Sequence, residues 1–384
     1  MKRSLVIGCA AVALAAGCGT ASAQSKSKFD ILLGGDAFFQ GAYVGQDHDS
    51  DLRKVDFANR FRLTVTPTAK ADNGLEYGAR LRLRASGGNN NNRQTDADRA
   101  YIFVNGAFGS VLAGVVNGPS DDSGVIGPNV DGISGSPDGW AFNYYDPGNT
   151  GTASGRLRGA LPNVAFNLRN LESGDASTKI VYNTPSFAGF KLSASYTPTY
   201  GSGNTDIYRR KNVAGDTAHP YRDIGEVQAY YKGAFSGVGL EGSVAYQFGE
   251  ANIPGIEKLS SVHAGATVTY GAFALGGSYA FSGDSGFAKV HRGVKDNQVW
   301  LVGAQYTVGP VILAATYTNA QGAVNQTGAA SAADSARANI YQGGITYAVA
   351  PGLTTGLEYS FVDNKTGGRK NDANIVLWDT RFSF

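Results

Sequence analysis

Arg80, Arg82 and Arg84 stand two residues apart in the stretch Leu75 to Ala85. Leu75, Tyr77, Ala79, Leu81, Leu83 and Ala85 fall on one face of it, and Glu76, Gly78 and the three arginines on the other. A period of two means a strand with one apolar and one charged face. Successive guanidiniums on that face lie about 7 Å apart and repel by roughly 0.6 kcal/mol per pair in bulk water. The preceding run repeats the pattern: Phe57, Phe61, Leu63 and Val65 on one side, interrupted by Asn59, with Arg60, Arg62, Thr64 and Thr66 on the other. Pro67 to Gly74 supplies turn residues, so the two runs form a hairpin. A turn centred near Lys70 sets Arg62 across from Arg80 and Arg60 across from Arg82, with the register open by a step of two. At least five guanidiniums then share one patch, and something must offset their repulsion.

That chemistry is a fixed positive field rather than bond-making. His48, His219, His263 and His291 are scattered, and no His-plus-carboxylate spacing suits a metal. No Ser or Cys nucleophile motif stands beside a His, so an enzyme is not expected. His263 is expected to be a solvated wall residue. Loop aspartates could hold Ca²⁺, but scattered Asp in Gly-rich loops is ordinarily solvated, so no cofactor is expected.

Two environments suit such a hairpin: a soluble sandwich with the arginines in bulk water, or a membrane barrel with them in a wet lumen. A lipid-facing Arg at the bilayer midplane costs about 2–4 kcal/mol, so five would cost on the order of 10–20. In a membrane the arginines must point inward.

The rest of the chain chooses between the two. Lys2 and Arg3, the apolar run Leu5 to Ala16 and Ala21-Ser22-Ala23 form an export signal over residues 1–23, with cleavage before Gln24. A rival cut at Ala16-Gly17-Cys18 would acylate Cys18 and make a surface lipoprotein or adhesin. Both cysteines, Cys9 and Cys18, lie within this segment, so the remainder uses no disulfide. Without Lys2 and Arg3, 31 basic residues face 31 acidic ones, and a basic nucleic-acid footprint is absent. No later stretch approaches 18 consecutive apolar residues, so spanning helices are not expected.

From Lys28 onward the chain reads as sixteen strand runs, from 28–41 and 54–67 to 352–362 and 373–384, with the fourth and fifth at 98–106 and 109–117. Trp300, Val302, Ala304, Tyr306 and Val308 share a face, as do Leu353, Leu357, Tyr359 and Phe361; Gly303, Gln305, Glu358 and Ser360 lie opposite. Tyr196, Tyr246, Tyr270, Phe281 and Tyr347 sit at the ends of apolar faces, where a membrane barrel carries its aromatic girdles. Short connections such as 106–109, 235–237 and 350–352 alternate with long polar ones such as 41–53, 199–222 and 319–336. Tight turns on one rim and large loops on the other are the habit of an outer-membrane barrel, and a soluble sandwich has no reason to sort its loops so. One connection, about 117–176, breaks the pattern. It carries Asp121, Asp122, Asp131, Asp138 and Asp146, the aromatics Trp140, Tyr144 and Tyr145, and Arg156, Arg158 and Arg169. A loop of this length inside a compact fold is usually functional; it could lie outside as a lid or fold into the lumen.

Several stretches resemble the general bacterial trimeric porins. Arg99-Ala100-Tyr101-Ile102-Phe103-Val104-Asn105-Gly106-Ala107-Phe108-Gly109-Ser110-Val111 is similar to that family's fourth strand and turn. Tyr182-Asn183-Thr184-Pro185-Ser186-Phe187-Ala188-Gly189-Phe190 resembles its strand–turn–strand after the third loop. The terminal Phe384, with Phe382 and Trp378 on its face, resembles the sorting signal of outer-membrane barrels.

The resemblance implies an all-β transmembrane antiparallel barrel of 16 strands over 24–384, assembled as a homotrimer among outer-membrane lipid and lipopolysaccharide. It implies a third loop folded into the lumen, with acidic residues facing a basic wall. Carried over by position, the wall is Arg60, Arg62, Arg80, Arg82, Arg84 and Arg99, and the loop residues are Asp121, Asp122, Asp131 and Asp138. The loop is longer than the family's. Opposed charges across a narrow opening set up a transverse field that lets small hydrophilic solutes and ions diffuse through and disfavours apolar ones. The alternative is a solute-specific channel, with a site on the long loop built from Trp140, Tyr144 and Tyr145 beside Arg156 and Arg158. Against it, those aromatics could simply anchor the loop to the wall.

Overall fold

The computed structural model describes residues 29–49, 52–86, 94–128, 141–146, 161–166, 168–169, 177–324 and 327–384. The proposed signal segment, and with it Cys9 and Cys18, lies outside them. The strands are β1 (Asp30–Gln46), β2 (Val55–Lys70), β3 (Glu76–Ser86), β4 (Gln94–Gly106), β5 (Gly109–Val115), β6 (Thr178–Asn183), β7 (Phe190–Thr199), β8 (Tyr221–Phe235), β9 (Val238–Ala251), β10 (Leu259–Tyr270), β11 (Phe273–Gly283), β12 (Asn297–Val308), β13 (Val311–Ala323), β14 (Ser335–Ala350), β15 (Leu353–Thr366), the two-residue β16 (Arg369–Lys370) and β17 (Ala373–Ser383). β16 only extends the end of β15. The other sixteen pair antiparallel with their neighbours, and β17 returns to β1 to close the ring. Closure leaves no edge strand with unpaired backbone groups, which a spanning sheet requires.

The two faces of the ring are the reverse of a water-soluble fold. Outward-pointing Phe39, Phe57, Phe61, Ile102, Leu192, Val244, Leu275, Val302, Leu357 and Trp378 are all exposed. Inward-pointing Gln40, Gln247, Ser261, Thr318, Gln342, Glu358, Ser360 and Asp379 are all buried. Scattered exposed apolar side chains are normal, but a continuous exposed apolar band over buried polar groups is not. Turned to hydrocarbon, the band is satisfied. Aromatics mark both borders. Phe187, Phe235, Tyr270, Phe273 and Tyr347 are exposed near the short turns, and Tyr196, Tyr246, Phe281, Tyr341 and Tyr359 near the long loops. On the loop side Trp300, Tyr317, Tyr341 and Phe361 run in series at centroid spacings of 5.1, 4.8 and 6.1 Å.

The β2–β3 hairpin forms as the alternation predicts, but its register differs. Arg62 lies across from Arg84 and Thr64 from Arg82, not Arg62 from Arg80. Lys70 does not turn; it is the last residue of β2 and pairs with Glu76. The reversal is made by Asp72, Asn73 and Gly74. Asn73 Oδ1 accepts from the Leu75 backbone N–H at 3.1 Å, and Gly74 takes φ +84°, a left-handed conformation that costs glycine little. Turn chemistry therefore outweighs the Pro67 signal, and every partner moves along by four residues.

Candidate functional site: the arginine wall and the third loop

Even-numbered positions of β2 and β3 point inward, so Arg60, Arg62, Arg80, Arg82 and Arg84 line one side of the lumen. Among the described residues, their counter-charges come mainly from the wall itself. Arg60 Nη2 lies 2.6 Å from Asp36 on β1, and its guanidinium sits 4.7 Å from the Phe38 ring centroid. Arg84 Nη2 reaches Asp96 at 2.8 Å.

Asp98 is the hub. Arg82 grips it with two bonds, Nε–Oδ1 at 2.7 Å and Nη2–Oδ2 at 2.8 Å. Arg62 and Arg84 approach the same carboxylate at 3.8 and 3.5 Å. Its side chain is only 2% exposed. A β-bulge puts it there: Arg82 pairs with Arg99, but Leu83 pairs with Ala97, so Asp98 is the extra residue. The bulge slips the alternation by one and lets Asp96, Asp98 and Arg99 all face inward. A charge pair near 4 Å is worth about 4 kcal/mol at an effective dielectric of ~20, against about 1 in water, and desolvation takes part of it back.

The described parts of the third loop lie against the inside of the barrel. Its first turn is the short helix α1 (Pro119–Ser123). The Ser120 backbone N–H donates to Glu226 on β8 at 2.7 Å, Ser123 Oγ donates to Gln228 at 2.8 Å, and the Val125 N–H donates to Ser243 Oγ on β9 at 2.8 Å. Further on, the segment passes over Gly265 so closely that a Cβ there would sit 1.7 Å from the Val125 carbonyl oxygen. The later pieces pack by burial. Ala141, Tyr145, Leu161, Val164, Ala165 and Leu168 share an apolar cluster with Leu301, Ile340, Val362, Ile375 and Leu377 of the inner wall. Tyr145 also donates to the Asn371 carbonyl at 2.9 Å and accepts from Asn364 at 3.0 Å. Tyr145 therefore anchors the loop, and Tyr144 packs beside the same cluster.

Of the loop aspartates singled out in the sequence, Asp121 stands 3.9 Å from Arg99 and 3.9 Å from Arg169. Asp122 lines a cleft with Arg80, Arg82 and Arg99. Asp131 and Asp138, like Trp140, Arg156 and Arg158, lie outside the described residues. Compensation of the wall by the loop is thus seen at Arg99, whereas Arg60, Arg62, Arg82 and Arg84 meet wall carboxylates. Arg80 is exposed and has no ion pair among the described residues.

His263 faces inward as expected but is not solvated. It is 0% exposed, because the turn at Gly124 lies over it.

Sequence reasoning passed over Asp36, Asp96, Asp98, Glu226 and the inward Arg381, whose Nη2 lies 3.2 Å from Asp379. Asp36 carried a usable signal: an acidic side chain at an inward position one strand from Arg60 and Arg62. Asp96 carried no strand period in a stretch read as loop, and Asp98, the first residue of the run 98–106, is turned away from Arg99 by strict alternation.

The sequence matches the Gram-negative porin family over residues 10–367. No curated protein matches it. Among solved structures, it is similar to an anion-selective porin from Comamonas acidovorans, with 16% identity, a TM-score of 0.63, and 93% of this chain and 100% of the other covered. A multiply substituted mutant of the Rh. blastica porin gives 17% identity and a TM-score of 0.55, over 92% of this chain and 100% of the other. A loop L8 deletion mutant of OmpT, an outer membrane protein of Vibrio cholerae, gives 14% identity and 0.54, over 93% and 99%. At these identities the structures speak for the fold. The family match, spanning nearly the whole chain, says more: this chain belongs to the Gram-negative porins, outer-membrane barrels that act as passive diffusion channels and not as enzymes.

Proposed function

We propose that this porin passes small hydrophilic solutes and ions through a constriction bounded by Arg60, Arg62, Arg80, Arg82, Arg84 and Arg99 on the wall and by Asp121 and Asp122 on the third loop. The observation that carries the reading is the arginine wall turned inward within a closed ring, with α1 bonded to the same inner surface at Glu226 and Gln228. Asp131 and Asp138 are the loop's further acidic candidates in this reading. Among the described residues, the six guanidiniums, with Arg169 beside Asp121, outnumber the five carboxylates Asp36, Asp96, Asp98, Asp121 and Asp122 that stand among them. That excess favours anions, the selectivity named for the Comamonas acidovorans structure. The chain acts after export, with residues 1–23 removed before Gln24 and residues 24–384 forming the barrel. It works as a homotrimer among lipid and lipopolysaccharide, as the family's general members do.

Planar-bilayer recording of the purified protein tests this. Stepwise ohmic conductance is expected, with a reversal potential under a KCl gradient that favours chloride. Arg80→Ala with Arg82→Ala is expected to move that potential toward cation preference while the protein still folds. An unchanged reversal potential would remove these residues from the constriction.

A further inference from the structure

The third loop meets the barrel on two sides. Its first piece follows the wall from β8 to β12: Ser120 and Val125 bond to Glu226 and Ser243, Gly127 lies against Leu301, and Pro128 lies against Gly303. The short turn Ala141–Tyr144, with Tyr145 and Asp146 after it, lies against β17 and β1. There Tyr144 borders a cavity of ≈ 900 Å³ together with Gln40, Asp56 and Ala58. Gln40 and Ala58 face each other across β1 and β2, and Phe38 and Arg60 are the next inward pair along the same strands. The far end of the loop thus stands beside the arginine wall.

One side chain grips it there. Gln46, the last residue of β1, is 8% exposed and pairs with both backbone groups of Asp146. Its Nε2 donates to the Asp146 carbonyl at 2.6 Å, and its Oε1 accepts from the Asp146 N–H at 3.2 Å. Nε2 also donates to the His48 carbonyl at 3.1 Å. A neighbouring strand would satisfy Asp146 in the same way; here a side-chain amide does it, at the point where β1 ends. The first and last external loops, 47–54 and 367–372, share the fastening. Tyr145 bonds to Asn371 and Asn364, and the His48 N–H donates to Asn371 Oδ1 at 3.3 Å. The Asp47 N–H donates to the Asp372 carbonyl at 2.9 Å, and the Asp372 N–H to the Asp47 carboxylate at 3.0 Å.

We infer that Gln46 is a positioning residue for passage: its amide latches the far end of the third loop to the first and last external loops, and so holds the route beside Arg60 at one width. This rests on the channel reading above and adds to it the part that keeps the opening constant. The chemistry separates a latch from a space-filler. Glutamate has the shape of glutamine but, when ionised, no donor. Gln46→Glu therefore keeps the packing, takes the donor from the His48 and Asp146 carbonyls, and sets a carboxylate against them. A residue that only filled space would tolerate the exchange.

The test is single-channel recording of the purified protein in KCl at neutral pH, read as the fraction of open time spent away from the main conductance level. Gln46→Glu is expected to raise that fraction about tenfold, the conversion of ~1.4 kcal/mol and the net worth of one or two hydrogen bonds. Tyr145→Phe loses the bonds to Asn371 and Asn364, keeps the buried ring, and is expected to move the fraction in the same direction. Tyr359→Phe loses a hydroxyl bond of 2.6 Å to Asn374 on the outer face and is expected to match the wild type. Wild-type behaviour of Gln46→Glu, or an equal rise in Tyr359→Phe, overturns the latch and leaves the channel standing. If Gln46→Glu forms no channels, a steady single level in Tyr145→Phe overturns the latch in the same way. A wild type with no KCl conductance overturns the channel reading, and the latch with it.

Discussion

At the scale of single residues, Asp98 organises the wall more than any one arginine does. Its carboxylate is nearly fully covered and is shared by Arg62, Arg82 and Arg84. The arginines were legible because their spacing of two repeats over two adjacent runs. Asp98 was not, because a bulge shifts the alternation without a Gly or Pro to mark it, and strict alternation points Asp98 outward next to Arg99. Asp98→Asn leaves three guanidiniums short of their shared counter-charge. It is expected to destabilise the protein by about 1.5–3 kcal/mol, the worth of hydrogen bonds to a charged group, and to push the KCl reversal potential further toward anions. Chemical denaturation together with bilayer recording would check both. A variant of unchanged stability and unchanged selectivity would show that Asp98 is idle.

At the scale of elements, the strands were legible and the third loop was not. A strand with one face in hydrocarbon and the other in water must alternate, so sixteen runs stand out in the sequence. β4 and β14 nevertheless begin earlier than the alternation suggests, at Gln94 and Ser335, where polar strand ends project beyond the apolar band. The loop has no period because its pieces touch different wall strands, by single hydrogen bonds at α1 and by apolar burial further on. Its closest approach depends on Gly265, where there is no room for a Cβ under the Val125 carbonyl. Gly265→Ala is therefore expected to displace the Val125 segment and change the single-channel conductance while the barrel persists. Conductance identical to wild type would mean that the segment does not border the route.

The loop between β7 and β8 offers a second element to test. Tyr208 stacks on His219 at 3.9 Å and donates to Asp216, and His219 Nδ1 lies 3.0 Å from the same carboxylate. The bond from Tyr208, supported by His219, holds the Asp216 carboxyl below the usual carboxylate range. A depressed carboxyl stabilises the folded loop above its unfolded pKa, near 3.9, and that contribution is lost as pH falls through the lower folded value. Amide exchange over residues 206–219, corrected for its intrinsic rate, should accelerate only below about pH 4. In Asp216→Asn it should be fast throughout. Acceleration already near neutral pH would place the control elsewhere than at Asp216.

At the scale of the molecule, everything follows from which face of the ring meets which solvent. β1 closes the ring on β17, with Gly35 and Phe384 exchanging backbone hydrogen bonds of 2.9 and 3.1 Å at the end of the seam. Outside lie the exposed apolar band and the two aromatic borders; inside lie the arginines, their carboxylates and the described parts of the loop. The sequence showed the two faces and the even number of strands. It did not show that much of the inner wall away from the arginines is apolar and covered by the loop, because Ile340, Ile375 and Leu377 look like any strand residues until the segment that buries them is in place.

The most direct measurement of this orientation uses adjacent positions of β2. In a chain without Cys9 and Cys18, single cysteines replace Arg62 or Phe61, and a water-soluble charged thiosulfonate is added during bilayer recording. The account predicts that Arg62→Cys reacts and its conductance drops in steps, whereas Phe61→Cys, turned to lipid, does not respond. A fast reaction at Phe61→Cys with none at Arg62→Cys would contradict it.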